Sequence, residues 1–258
     1  MTDRTTEHLV DRFVGGLRSA VPLVSAWAHG SLAGGDYQPG RSDIDLIAVL
    51  DRPCTAVQEQ LLGEMHESLN RAVPLASGLH CTYVAVTELD DPARTHLTWA
   101  HEELFHRAVT PVTRRELHAF GRVLYGRPPA GLLPPVSGGQ LAAFVVEDLR
   151  NFWRPALDHP ERWTRDVWVD LGLLTLARAT ATLRDGSLIT KAEALDVLVE
   201  LGAPADVVDD IRRRRYGTPR PADQRWISRR AELTLAFLRP AIGEVTAPAP
   251  GGPAGPEV

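Results

Sequence analysis

His8, Leu9, Val10, Phe13, Val14 and Leu17 recur at helical spacing and predict an amphipathic helix over 7–20, stopped by Pro22. The short apolar run 24–29 (VSAWAH) predicts a strand, and 30–42 is dense in glycine, proline and other turn formers. A second strand is predicted over 43–50 (DIDLIAVL), its far half apolar on both faces. An amphipathic helix over 56–71 and a third strand over 79–86 (LHCTYVAV) follow. From residue 95 the pattern turns helical, with helices predicted near 96–107, 113–124, 139–156, 166–184, 191–201, 205–215 and 222–239. The expected fold class is therefore α+β: a mixed sheet with helices over 1–126, then an all-helical bundle over 127–242. The Pro/Gly-rich stretch 126–139 reads as the connection, and the Gly/Pro/Ala-rich end, 243–258, as a disordered tail.

Composition narrows the picture. The 258 residues are 44% hydrophobic and 24% charged, ordinary for a globular protein. A net charge of −5 gives no global attraction to nucleic acid or anionic membrane, so a nucleic-acid partner is disfavoured unless a local patch such as Arg212–Arg215 serves it. Two cysteines, Cys54 and Cys81, make no disulfide framework. With a polar N-terminus and no long apolar run, the expected location is the cytoplasm, with no membrane partner. His96, His101 and His106 recur every five residues, which places them on no common helical face and argues against zinc. All but one of the 28 Lys+Arg residues are arginine, the exception being Lys191.

The chemistry concentrates in one segment. Side chains alternate along a strand, so Asp43 and Asp45 share a face. Two adjacent carboxylates repel unless a cation lies between them, and Mg²⁺ is bound through one or two carboxylates plus waters and phosphate oxygens. Upstream, Gly30 permits close approach of a phosphate, and the Ser31 hydroxyl with neighbouring N–H groups can hold it. The pattern G-S-x11-D-x-D resembles the signature of the polymerase-β-like nucleotidyltransferase superfamily. Its local string HGSLAGGDYQPGRSDIDL resembles the aminoglycoside nucleotidyltransferases.

The helical half is similar to the C-terminal domain of the streptomycin/spectinomycin adenylyltransferases, through Leu176-Ala177-Arg178, GSLITK ending at Lys191, and Arg215-Tyr216-Gly217. The resemblance implies ATP or another NTP with Mg²⁺, bound in a cleft between the domains. Gly30, Ser31 and Ser42 would be on the phosphates, Asp43 and Asp45 on the metal, and Arg178, Lys191 and Tyr216 around the nucleotide. It also implies transfer of a nucleotidyl group to a small-molecule hydroxyl, an aminoglycoside-like acceptor first.

The chain departs from that family where a third carboxylate is expected on the next strand, since His80 stands there. An imidazole is a competent general base near neutral pH. The alternative is a site without its base that binds nucleotide only. Asp36 and Glu88 are the nearest other carboxylates, and neither has the right position by strand geometry. An aromatic–acidic cluster (Trp153, Asp158, Glu161, Trp163, Asp166, Trp168, Asp170) could meet a cationic acceptor, or be core with exposed acids. A macromolecular acceptor, tRNA or protein, is a further alternative.

Overall fold

In a computed structural model of the chain, residues 3–247 are described. They divide into two compact units within Met1–Leu141 and Ala142–Val258. The α+β class expected from the sequence, a mixed sheet followed by helices, is what the structure shows.

The first unit runs α1 (Arg4–Ala20), β1 (Leu23–Ala28), the one-turn α2 (Gly30–Gly34), β2 (Ile44–Leu50), α3 (Ala56–Ala72), β3 (Leu79–Ala85), β4 (Thr95–Ala100), β5 (Glu103–Ala108), α4 (Pro111–Phe120) and β6 (Arg122–Gly126). The sheet order is β5-β4-β3-β2-β1-β6; β2 and β3 are parallel and every other pair antiparallel. Alternation sorts the side chains cleanly. Ile44, Leu46, Ala48 and Leu50 join Leu79, Cys81 and Tyr83 in a core with Leu9, Phe13 and Leu17 of α1 and Leu62 and Leu69 of α3. Ile47, Val49 and Val84 face the other way, into a smaller cluster with Trp27, Leu117 and Leu133. Asp43, Asp45 and His80 have the parity of this second face.

The helix expected over 96–107 is instead the β4–β5 hairpin. Leu97, Ala100 and Leu104 fit a helical stripe, but Thr95, Thr98, Trp99 and Phe105 favour a pleated surface, and pairing with β3 decides the outcome. The helix expected over 113–124 ends at Phe120, and the chain returns through Gly121 as β6, pairing with β1. Leu133 packs on the first unit's sheet, and Trp27 Nε1 donates to the Arg127 carbonyl at 2.7 Å, so part of the Pro/Gly-rich stretch belongs to this unit's packing.

His66 of α3 is buried between Trp99, stacked at 4.6 Å, and Phe13, with Nε2 2.6 Å from the Tyr83 hydroxyl. Burial, with a smaller electrostatic contribution from the nearby His80 imidazole, pushes its pKa down to about 3. A folded-state pKa below the unfolded value of about 6.5 means that the unfolded chain takes up the proton first. The stability this group confers is complete above about pH 6.5 and is lost as the pH falls toward 3. At about 1.4 kcal/mol per pH unit, acidification to pH 5 costs about 2 kcal/mol through this residue. His66→Phe is expected to flatten that loss while lowering stability at pH 7, where the Tyr83 hydroxyl is left without its partner. Urea melts of both proteins at pH 7 and pH 5 check it; an equal acid loss in the variant contradicts it.

The second unit follows from α5 (Gly138–Asp148), which contains the division between the units and continues as a π-turn (Leu149–Trp153) and the short α6 (Arg154–Ala156). Then come α7 (Asp166–Asp185), α8 (Lys191–Glu200), α9 (Ala205–Tyr216) and α10 (Gln224–Val245). Helix α7 is central, touching α8 and α10 and burying Leu173, Leu176 and Ala177. The last helix takes up 243–245 of the expected tail; 248–258 lie outside the described residues. Among the described residues, no helix is long and apolar enough to cross a membrane.

Candidate active site

The parallel register pairs Asp45 with His80, and His29 N–H donates to the Asp45 carbonyl at 3.0 Å, so the end of β1 meets the start of β2. Three functional groups of the sequence reading thus converge on one sheet face. His80 Nδ1 lies 3.7 Å from Asp45 Oδ1, and His80 Nε2 lies 3.9 Å from Asp43 Oδ1. The imidazole is buried, Asp45 partly so and Asp43 exposed. Burial works to raise the Asp45 carboxyl, but the neighbouring imidazoles of His80 and His29 and the Arg107 guanidinium outweigh it. The group is held below its ordinary value, so Asp45 is ionised at neutral pH.

Gly30 lies two residues past the end of β1, at the start of α2, with φ +60°. A Cβ at this position would stand 2.7 Å from Asp45 Oδ2, so only glycine lets the turn pass the carboxylate. Its amide donates to Glu116 Oε2 at 3.2 Å, and the same oxygen is 3.2 Å from His29 Nδ1. Glu116 is buried on α4 and ties this helix to the turn. Ser42 is buried, and its hydroxyl accepts the Gln38 N–H at 3.1 Å, closing the turn that delivers Asp43. Glu88 is engaged elsewhere, 2.9 Å from Arg94 and 3.6 Å from His96.

In the helical unit, Thr190 and Glu193 form a capping box that starts α8 at Lys191. Arg178 Nε donates to the Ile189 carbonyl at 3.0 Å, which holds this guanidinium beside the turn leading to Lys191. Tyr216 ends α9, its hydroxyl accepting from Arg215 Nε at 3.0 Å. Most members of the aromatic–acidic cluster have partners within the helical unit. Trp163 is core, and Trp168 lies under Arg162 and Arg165 at 5.0 and 5.9 Å. Asp158 pairs with Arg239, Asp166 with Arg230, and Asp170 with Arg214, so these carboxylates already have cationic partners. The basic run is spent similarly, Arg212 on Asp196 and Arg214 on Asp170 and Asp210.

Sequence reasoning missed Glu116, whose neighbours Arg114 and Arg115 suggest a solvated helix face. It also missed His101, which the helical reading of 96–107 carried away from the site. The hairpin brings the His101 ring to 4.9 Å from that of His80.

Residues 10–83 match the family model described as a nucleotidyltransferase domain. That stretch contains Gly30, Ser31, Asp43, Asp45 and His80. No curated protein matches the chain in sequence. The fold is similar to that of the spectinomycin adenyltransferase AAD(9) from Enterococcus faecialis, solved with ATP and spectinomycin. The TM-score is 0.72 and the identity 15%, over 92% of this chain and 99% of that one. The nucleotidyltransferase-domain match thus falls within the first unit, and the chain has the fold of that adenyltransferase.

Proposed function

We propose that the protein is a Mg²⁺-dependent adenylyltransferase that transfers AMP from ATP to a hydroxyl of a small, aminoglycoside- or cyclitol-like molecule. The observation that carries this reading is the convergence of Asp43, Asp45 and His80 on one sheet face beside the Gly30-Ser31 turn. Among the described residues no group of three or more His, Cys, Asp or Glu side chains is arranged to hold a metal by itself. Two carboxylates on one face suit a hard divalent cation of the Mg²⁺ kind. Asp43 and Asp45 would hold it, and it would supply neutralisation of phosphate charge.

The remaining work falls to the chain. In the first unit Gly30, Ser31 and Ser42 are the phosphate-side residues; for the helical unit, the family resemblance assigns Arg178 and Lys191 to phosphate charge and Tyr216 to the nucleotide. Lys191 suits the task as a compact charge on a flexible stem. The acceptor oxygen attacks the α-phosphorus, the bond to the β-phosphate oxygen breaks, and pyrophosphate leaves. His80 takes the hydroxyl proton on Nε2, the nitrogen on the side of the exposed Asp43 and 3.9 Å from it, beyond hydrogen-bond distance. Such transfers depend on positioning and charge stabilisation more than on covalent participation of the protein.

The test is incubation with ATP, Mg²⁺ and a panel of aminoglycosides and aminocyclitols, spectinomycin and streptomycin included, read by mass spectrometry. An adduct of one AMP on one acceptor is the expected result. ATP consumption with no small-molecule adduct, and label on RNA or protein instead, would overturn the acceptor class.

A further inference from the structure

Among the described residues, the non-glycine positions with positive φ are His101 (54°) and Glu102 (64°), the two residues of the β4–β5 turn closed by the Ala100–Glu103 pair. Both central residues of such a turn are left-handed, which is why Asn-Gly ordinarily fills it and why a glutamate there is strained. Strain of this kind persists where the conformation serves a purpose. Here the turn is anchored to α3 by Asn70 Nδ2, which donates to Glu102 Oε1 at 3.3 Å. It sets the exposed His101 ring edge-on to the buried His80 ring, at 4.9 Å and 66°. His80 therefore has Asp43 and Asp45 at its nitrogens and His101 packed against its ring.

We propose that His101 is a positioning residue. Its ring fixes the rotation of the His80 imidazole, and the strained turn is the device that delivers it. The second torsion of a histidine is soft and roughly two-fold, so an unsupported ring can flip, which exchanges each nitrogen for a ring carbon at the position facing its neighbour. Contact with His101 blocks that exchange and keeps Nδ1 toward Asp45 and Nε2 toward Asp43. What His80 then does rests on the nucleotidyl-transfer reading; that it is held by His101 does not.

The test compares wild type, His101→Ala, His101→Phe, and the double variant His101→Asn with Glu102→Gly. The imidazole ¹⁵N resonances of His80 are recorded by NMR, with thermal melts on the same samples. Wild type and His101→Phe, which restores an aromatic ring, are expected to give one narrow set of His80 resonances. His101→Ala and the Asn-Gly turn are expected to broaden or shift it. The Asn-Gly protein should melt a few degrees higher because its turn is relaxed. Its pyrophosphate release from ATP with spectinomycin should fall roughly tenfold, while His101→Phe stays within about threefold of wild type. If the His80 resonances are unchanged in both His101→Ala and the Asn-Gly protein, the proposal is overturned and the turn is merely strained. A wild type that binds no ATP·Mg²⁺ would sink the functional reading alone, since the resonances still decide the role of His101.

Discussion

Asp45→Asn is expected to lower AMP transfer by about three orders of magnitude while leaving the fold intact, because the change removes charge and keeps shape. Asp45 is the carboxylate placed most firmly: its backbone pairs with His80, its carbonyl accepts from His29, and its side chain closes on Gly30. Losing one preorganised charge at a phosphoryl centre is worth about 3–4 kcal/mol of the barrier, or roughly a thousandfold in rate. Asp43→Asn should follow it closely, since one carboxylate is a poor substitute for two as a ligand for a hard divalent ion. Single-turnover pyrophosphate release, with far-ultraviolet circular dichroism to show the fold retained, measures both. A folded Asp45→Asn protein within tenfold of wild type would remove the metal-site assignment.

His80→Ala is expected to cost roughly a hundredfold to ten-thousandfold in rate, the usual range for a lost general base, with ATP affinity changed only severalfold. The two readouts separate chemistry from binding: His80 contacts the carboxylates but belongs to no phosphate contact in the proposed arrangement. His80→Glu gives the companion result. A carboxylate at this strand position should support measurable transfer, though it adds a third negative charge beside Asp43 and Asp45. If His80→Glu instead raised activity far above wild type at unchanged ATP affinity, the natural site would be catalytically impaired. If His80→Ala were as active as wild type, the base lies elsewhere.

Much of this site was legible in the sequence because strand alternation is a hard geometric rule. Asp43 and Asp45 share parity, and the apolar runs of β2 and β3 leave no doubt that both are strands; the parallel pairing that brings His80 opposite Asp45 came only with the fold. Gly30 was legible as a turn, but its requirement for glycine depends on where Asp45 Oδ2 falls, which no local pattern encodes. The β4–β5 hairpin was misread because Leu97, Ala100 and Leu104 satisfy a helical spacing and its turn carries His-Glu, not a turn-forming pair. The signal available there was the density of threonine and aromatic residues. Glu116 left no trace, since a buried carboxylate in a helix looks like any exposed one until its partners, 86 and 87 residues away, are placed. The helical unit shows the same limit. Asp158 and Asp166 looked available to a cationic ligand because the arginines that pair with them lie far along the chain, at 239 and 230.

The central proposal is that Asp43 and Asp45 hold the metal of a bound nucleotide, and that Lys191 of the helical unit contributes to nucleotide binding. Isothermal titration of ATP, with and without Mg²⁺, into wild type, Asp43→Asn and Lys191→Ala tests it most directly. The account predicts micromolar binding that needs the metal and is lost or severely weakened in both variants. ATP that fails to bind the wild type, or that binds equally well without Mg²⁺ and in both variants, would contradict it.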